Sequence, residues 1–238
     1  MNLRGTIEHT GTVICDWDDV IQCIGIPWIQ STLIFKSVFE EYFDFSKIDE
    51  NNLGESIFKR DTYYYNDWLK RDELKSLPKN IYEVFMKLYN DDKNLYHKAP
   101  FLTMKNFILE ISDLSDTNEI IFLTSLTRND DERKTEIFNK VFKKYNPEKF
   151  RIVNLPPKHK KDNWIKENCP NYNCFIDDRF DLICDVINNT NSEGKCFIMP
   201  EYGFNTKQLE DVKKEFYIHC YKNRITFATY ESKILIKR

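Results

Sequence analysis

Apolar positions recur along this chain in two rhythms. Short apolar runs that stop on polar residues read as buried strands, at 12–15, 119–123, 150–153, 174–176 and 195–199. Between them, apolar residues return at i, i+3, i+4 and i+7, the spacing of one helix face. Ile137, Phe138, Val141, Phe142 and Tyr145 mark one such face, Met104, Phe107, Ile108 and Ile111 another, and 162–168 reads as a short helix. From Pro27 to Asn90 only the helical rhythm is heard, carried by Trp28, Ile29, Leu33, Phe35, Val38, Phe39, Tyr42 and Phe43, then by Ile81, Val84, Phe85, Leu88 and Tyr89. Strands that alternate with helices predict an α/β fold with a mainly parallel sheet, right-handed crossovers and both faces covered. The long helical stretch predicts an insertion after the first strand. The expected division is therefore a core of 1–21 and 99–238 around a helical segment of 22–98, with 223–238 forming an edge hairpin.

Composition narrows the class. A chain of 238 residues, 41% hydrophobic and 31% charged, can bury a sizeable core. Its 35 basic and 38 acidic residues give a net charge of only −3, so the chain as a whole does not advertise nucleic-acid binding. Seven cysteines stand at 15, 23, 169, 174, 184, 196 and 220, without a Cys-x-x-Cys pair or a zinc-like histidine spacing. They read as small buried hydrophobes in a reducing compartment. With no apolar stretch like a signal peptide at the start and no segment of membrane-spanning length, the expectation is a cytoplasmic protein.

The chemistry concentrates at strand ends. Asp16 and Asp18 follow the first apolar run, and Asp177 and Asp178 follow the run 174–176. Acids at the carboxyl edge of a parallel sheet lie where α/β proteins build ligand sites. Several carboxylates converging there need a cation, and a set of oxygen ligands suits Mg²⁺, which leaves coordination positions to water and a substrate phosphate. Thr124 and Ser125 end another strand, and Lys158, Lys160 and Lys161 cluster before the last acidic pair.

In this order, Asp16-x-Asp18, Thr124-Ser125, a lysine from the 158–161 cluster and Asp177-Asp178 resemble the four motifs of the haloacid dehalogenase (HAD) superfamily. The resemblance covers 12–20 and 100–205. It implies a Rossmann-like core, Mg²⁺ dependence and phosphoryl transfer through an aspartyl-phosphate. Asp16 is then the nucleophile and Asp18 the general acid and base. The ion is held by Asp16, by Asp18 through its backbone carbonyl, and by Asp177 and Asp178. Thr124 and Ser125 bind the transferring phosphoryl group. Lys161, at the start of its helix, is the preferred catalytic lysine, with Lys158 next and Lys160 third. One departure stands out: Asp19 occupies a position where the family commonly has glycine, which adds negative charge near the site.

A helical insertion of this size, the Asp177-Asp178-Arg179 ending and the stretch 200–205 are most similar to 5'(3')-deoxyribonucleotidases. That resemblance implies a small phosphate ester, a nucleoside monophosphate, as substrate. Tyr64 and Trp68, with Phe58, Tyr63 and Tyr65, could stack on a base beside Lys59 and Arg60, although helical-bundle core is the commoner use of such residues. Arg128 and Lys134 could meet phosphate or sugar; a charged helix start explains them equally well. Two alternatives stay open: removal of a terminal phosphate from nucleic acid, and a catalytically silent binding protein on the same fold. Oligomeric state is not legible.

Overall fold

The computed structural model describes residues 11–61, 66–70, 74–90, 95–100, 118–125, 131–143, 147–200, 202, 204–205 and 218–221. Six strands, β1 (Thr12–Cys15), β2 (Glu119–Ser125), β3 (Phe150–Leu155), β4 (Cys174–Ile176), β5 (Cys196–Pro200) and β6 (Ile218–Tyr221), form one sheet in the order β3-β2-β1-β4-β5-β6. Every pairing is parallel. This is the α/β, Rossmann-like architecture expected from the alternation of strand and helix. β6 was not foreseen, and the expected hairpin of 223–238 lies outside the described residues, as does the helix with Met104, Phe107, Ile108 and Ile111.

Parallel strands covered on both faces should be largely apolar, and after Thr12 β1 is: Val13, Ile14 and Cys15 are all fully buried. Alternate residues serve opposite faces. Val13, Cys15, Ile120, Phe122, Cys174, Ile176 and Ile198 join one core cluster with Phe138 and Phe142, while Ile14, Leu123, Phe175, Phe197 and Met199 join another with Ile165, Ile183 and Val186. The first face is thus covered by α6 (Asp131–Phe138) and its π-helical continuation Asn139–Lys143, the second by α7 (Lys161–Asn168) and α8 (Phe180–Asn189).

Between β1 and β2 the described residues are helical or irregular. This segment holds α1 (Gly25–Ile34), α2 (Lys36–Phe39), α3 (Leu53–Lys59), α4 (Lys79–Asn90) and α5 (Leu95–Lys98). Its aromatic residues pack on one another: Phe85 lies 4.5 Å from Trp28 and 4.9 Å from Phe43 between ring centroids. Where the segment leaves and rejoins the sheet, buried Gln22 ties the two crossings together. Its side-chain amide donates to the carbonyls of Tyr96 (2.8 Å) and Ala99 (3.0 Å), and its oxygen accepts from the Trp17 indole (3.0 Å). Cys23 N–H donates to the Pro100 carbonyl at 2.8 Å. Among the described residues no helix is long and apolar enough to cross a membrane, and Cys15, Cys23, Cys169, Cys174, Cys184 and Cys196 are free thiols.

Candidate active site

The strand order fixes where a site can form. β2 lies on one side of β1 and β4 on the other, so the chain reverses direction across the sheet at β1, the switch point at which such sheets bind ligands. Cys15 is in register with Ile176, and Asp16 N–H donates to the Ile176 carbonyl at 2.8 Å. One step further along each strand places Asp16 beside Asp177. Thr124 lies two residues beyond Phe122, the partner of Cys15 on β2.

The loop after β1 is pinned by Trp17. Its fully buried indole meets Phe122 edge-on at 5.2 Å and Phe142 at 5.8 Å. With Trp17 turned into the core, the residues on either side are both free to face the site, which is the physical content of the Asp-x-Asp spacing.

On the β4 side, carboxylate oxygens of Asp16, Asp177 and Asp178 lie within 4.8 Å of one another. Lys161 reaches into this group: its ammonium is 2.9 Å from Asp16 Oδ1 and 2.7 Å from Asp177 Oδ2. Asp177 Oδ1 accepts from Arg179 N–H at 2.9 Å. Asp178 is buried, and its Oδ2 has no hydrogen-bond partner. Buried polar atoms are rarely left so, and an orphaned carboxylate oxygen beside two other acids is what a divalent cation would satisfy. The donors are all oxygens, so the residues fit Mg²⁺.

The protonation energetics agree. Burial, opposed by Lys161 and reinforced by Asp177 and Asp18, pushes the Asp16 carboxyl from 3.8 up to about 6. Burial also pushes Asp178 well above its ordinary value, with Asp177, Asp19 and Asp16 adding to the effect. Burial alone would lower the Lys161 pKa, yet Asp16 and Asp177 raise it above the usual lysine value. Three strongly perturbed groups gathered in one crevice mark candidate chemistry.

On the β2 side, the second acid has different company. Asp18 Oδ2 accepts from the Lys134 ammonium at 3.1 Å and from the Tyr96 hydroxyl at 3.2 Å. The same ammonium donates to Thr124 Oγ1 at 2.6 Å and lies 5.1 Å from the Tyr96 ring centroid. The Asp18 side chain is not part of the carboxylate triplet, since Lys134 and Tyr96 draw it toward β2; the ligand expected from this residue is its backbone carbonyl. Asp19, the acid in place of glycine, is buried at φ 55 and pairs with Arg60 Nη2 at 3.3 Å.

Other expected residues divide. Lys158 and Lys160 are exposed whereas Lys161 is buried, because Lys161 opens α7 with its side chain toward the acids. Ser125 ends β2, half-buried. Trp68 is buried in the core cluster of the sheet's first face and lines a cavity of about 340 Å³ with Lys47, Asp49, Arg60 and Asp67, which does not include Asp16, Asp177 or Asp178. Tyr64 and Arg128 lie outside the described residues. Two residues that sequence reasoning underrated are Tyr96 and Lys134. Lys134 carried a signal: it precedes Ile137, Phe138 and Val141 by three, four and seven positions, so it shares the buried face of its helix. A lysine on an apolar stripe is seldom a solvated one.

No protein-family model matches the chain, and no curated protein matches it. Among solved structures, it is similar to a haloacid dehalogenase-like family hydrolase from Xanthomonas campestris, with 11% identity, a TM-score of 0.43, and 81% of this chain and 82% of that one covered. A second, from Burkholderia xenovorans and assigned to the haloacid dehalogenase-like hydrolases, shows 11% identity and a TM-score of 0.44 over 90% of this chain and 95% of that one.

Proposed function

We propose that this chain is a Mg²⁺-dependent phosphomonoester hydrolase of the HAD type. The observation that carries the reading is the triplet Asp16, Asp177 and Asp178 with Lys161 at the switch point of the sheet. Asp16, Asp177 and Asp178 would hold the ion, which when bound supplies positive charge against the phosphate and the carboxylates around it.

The residues then divide the reaction. An Asp16 carboxylate oxygen attacks phosphorus, forming an aspartyl-phosphate as the bond to the ester oxygen breaks. Protonated Asp18 gives its proton to the departing alkoxide, which leaves as the alcohol. Deprotonated Asp18 next takes a proton from water, whose oxygen attacks phosphorus and releases inorganic phosphate and Asp16. Lys161 offsets the charge gathered around Asp16. Lys134 holds Thr124 and Asp18 together, so the phosphoryl-binding hydroxyl and the proton donor are set by one ammonium.

The finer assignment is a nucleoside monophosphate as substrate, with segment 22–98 acting as a cap that excludes large esters. It rests on the motifs and on the size of the helical segment. A hydrolysis screen of an aryl phosphate and of ribo- and deoxyribonucleoside monophosphates, with Mg²⁺ and with a chelator, tests both levels. Turnover of the aryl phosphate is expected to need Mg²⁺, and preference for nucleotides supports the finer level. A protein that turns over no phosphomonoester would favour a silent binding protein instead.

A further inference from the structure

Directly after Asp18 the chain turns through Asp19 in the left-handed region, at φ 55. Glycine takes that conformation without cost, and aspartate is one of the few other residues that tolerate it. Here the turn is held from every side. Asp19 N–H donates to the Gln22 carbonyl at 2.8 Å, and Oδ1 accepts from Ile24 N–H at 3.2 Å. The Asp19 carbonyl accepts from the Tyr202 hydroxyl at 2.9 Å, and Oδ2 meets Arg60 Nη2 at 3.3 Å.

Arg60 belongs to the helical segment, at the C-cap of α3. The two charged side chains are only 1% and 5% exposed, so each is a buried counter-charge to the other. The guanidinium also lies 5.1 Å from the Tyr202 ring centroid and 4.9 Å from that of Phe204, and Phe58 packs on Tyr202 at 5.4 Å. The stretch beyond β5 reaches the other acids as well, for Asn205 Nδ2 donates to the Asp178 carbonyl at 2.8 Å. One buried ion pair thus joins the turn after β1, the end of α3 and the bracket around Asp178.

We propose that Arg60 is a positioning residue for Asp18: it makes the turn at Asp19 conditional on the helical segment being seated, so that docking of this segment and placement of the acid–base carboxylate are a single event. A glycine at this position would turn unaided. Aspartate turns only while a cation from α3 compensates its buried charge, and without that cation the turn opens to hydrate Asp19 and carries Asp18 with it. The catalytic part of this inference rests on the phosphatase reading; the structural part does not.

The test is a cycle of wild type, Arg60→Met, Asp19→Gly and the double variant, read by kcat and KM for an aryl phosphate with Mg²⁺ and by hydrogen exchange at the amides of 19–24. Arg60→Met is expected to lower kcat about 10²-fold, the cost of a small misplacement, with KM changed less than about threefold. It should also speed exchange at Gln22 and Ile24. The double variant is expected to recover kcat to within about fivefold of wild type and to restore slow exchange at Gln22, because glycine needs no counter-charge, whereas Ile24 stays fast for want of its Asp19 acceptor. Should Arg60→Met fail to fold, Arg60→Gln, which removes the charge and keeps a polar side chain, takes its place with the same expected loss and the same recovery on adding Asp19→Gly. Unchanged kcat and exchange in the single Arg60 variant, or a double variant no better than that single one, overturns the proposal. If wild type hydrolyses no phosphomonoester, the phosphatase reading fails by itself and exchange at 19–24 alone decides whether Arg60 governs the turn.

Discussion

The two sides of β1 are charged differently. Toward β4, Asp16, Asp177 and Asp178 share one buried lysine, Lys161. Toward β2 and the helical segment, Asp18 has Lys134 and Asp19 has Arg60. Among the described residues, these five carboxylates face three cations, a formal excess of two negative charges that lies on the β4 side. On the proposed reading, the contrast separates a half of the crevice suited to a divalent ion from a half in which each described acid faces a cation of the protein. It also implies that variants on the two sides will differ in how they respond to Mg²⁺, not only in how active they are.

The strongest blow to this division is expected at Asp16, the proposed nucleophile and ion ligand. Asp16→Asn is expected to cost about 10⁴-fold or more in kcat on an aryl phosphate, since the amide cannot attack phosphorus. Its melting temperature should not fall, because a carboxyl that burial pushes up to about 6 is not stabilised by its surroundings. Activity within tenfold of wild type would remove Asp16 from the nucleophile's role.

Next in size is Lys134→Met, which removes the shared partner of Asp18 and Thr124 and is expected to lower kcat about 10²-fold to 10³-fold. The midpoint of a Mg²⁺ titration, followed by thermal unfolding, should stay within about twofold of wild type, as the lysine belongs to the neutral side. A large shift in that midpoint would merge the two halves into one. Asp177→Asn should behave conversely, raising the Mg²⁺ midpoint about 10-fold to 100-fold with activity partly recovered at excess ion. An unmoved midpoint would take Asp177 out of the cation site.

The smallest expected effect is on pH. Below about 6 the metal-free site holds a proton on Asp16 that an incoming ion must displace, and above it the ion meets a carboxylate. The rise in melting temperature caused by Mg²⁺ should therefore be full at about pH 7.5 and shrink at about pH 5.5. In metal-free protein the trend reverses: a folded-state pKa above the unfolded 3.8 makes the Asp16 contribution most favourable in acid, and it is lost as pH climbs toward 6. Scanning calorimetry across that range, with and without Mg²⁺, checks both signs.

The same contrast governs how much was readable in the amino-acid order. The β4 side was legible because its parts sit at the ends of short, wholly apolar strands, and because Lys161 opens the helix that precedes β4. The β2 side was harder. Its acid, Asp18, could be read from the spacing to Asp16, but its partners come from the apolar face of α6 and from α5, the return of the helical segment, where only tertiary packing brings them in. Lys134 looked like one charge in a solvated run until its register with Ile137 and Val141 is weighed. Asp19 read as added negative charge, and the burial of Arg60 that compensates it depends on a helix forty residues away. Trp68 was a candidate for stacking on a base, with core the commoner use of such a residue; the structure buries it. β6 escaped notice because a four-residue edge strand carries too short a pattern to stand out from its surroundings.

Anomalous scattering from a crystal grown or soaked with Mn²⁺, a close mimic of Mg²⁺ in oxygen coordination, addresses the central claim most directly. One peak bonded to carboxylate oxygens of Asp16 and Asp177, with Asp178 directly bound or joined through water and Asp18 still on Lys134, is the predicted result. A peak elsewhere, or none between β1 and β4 at saturating Mn²⁺, would contradict the account.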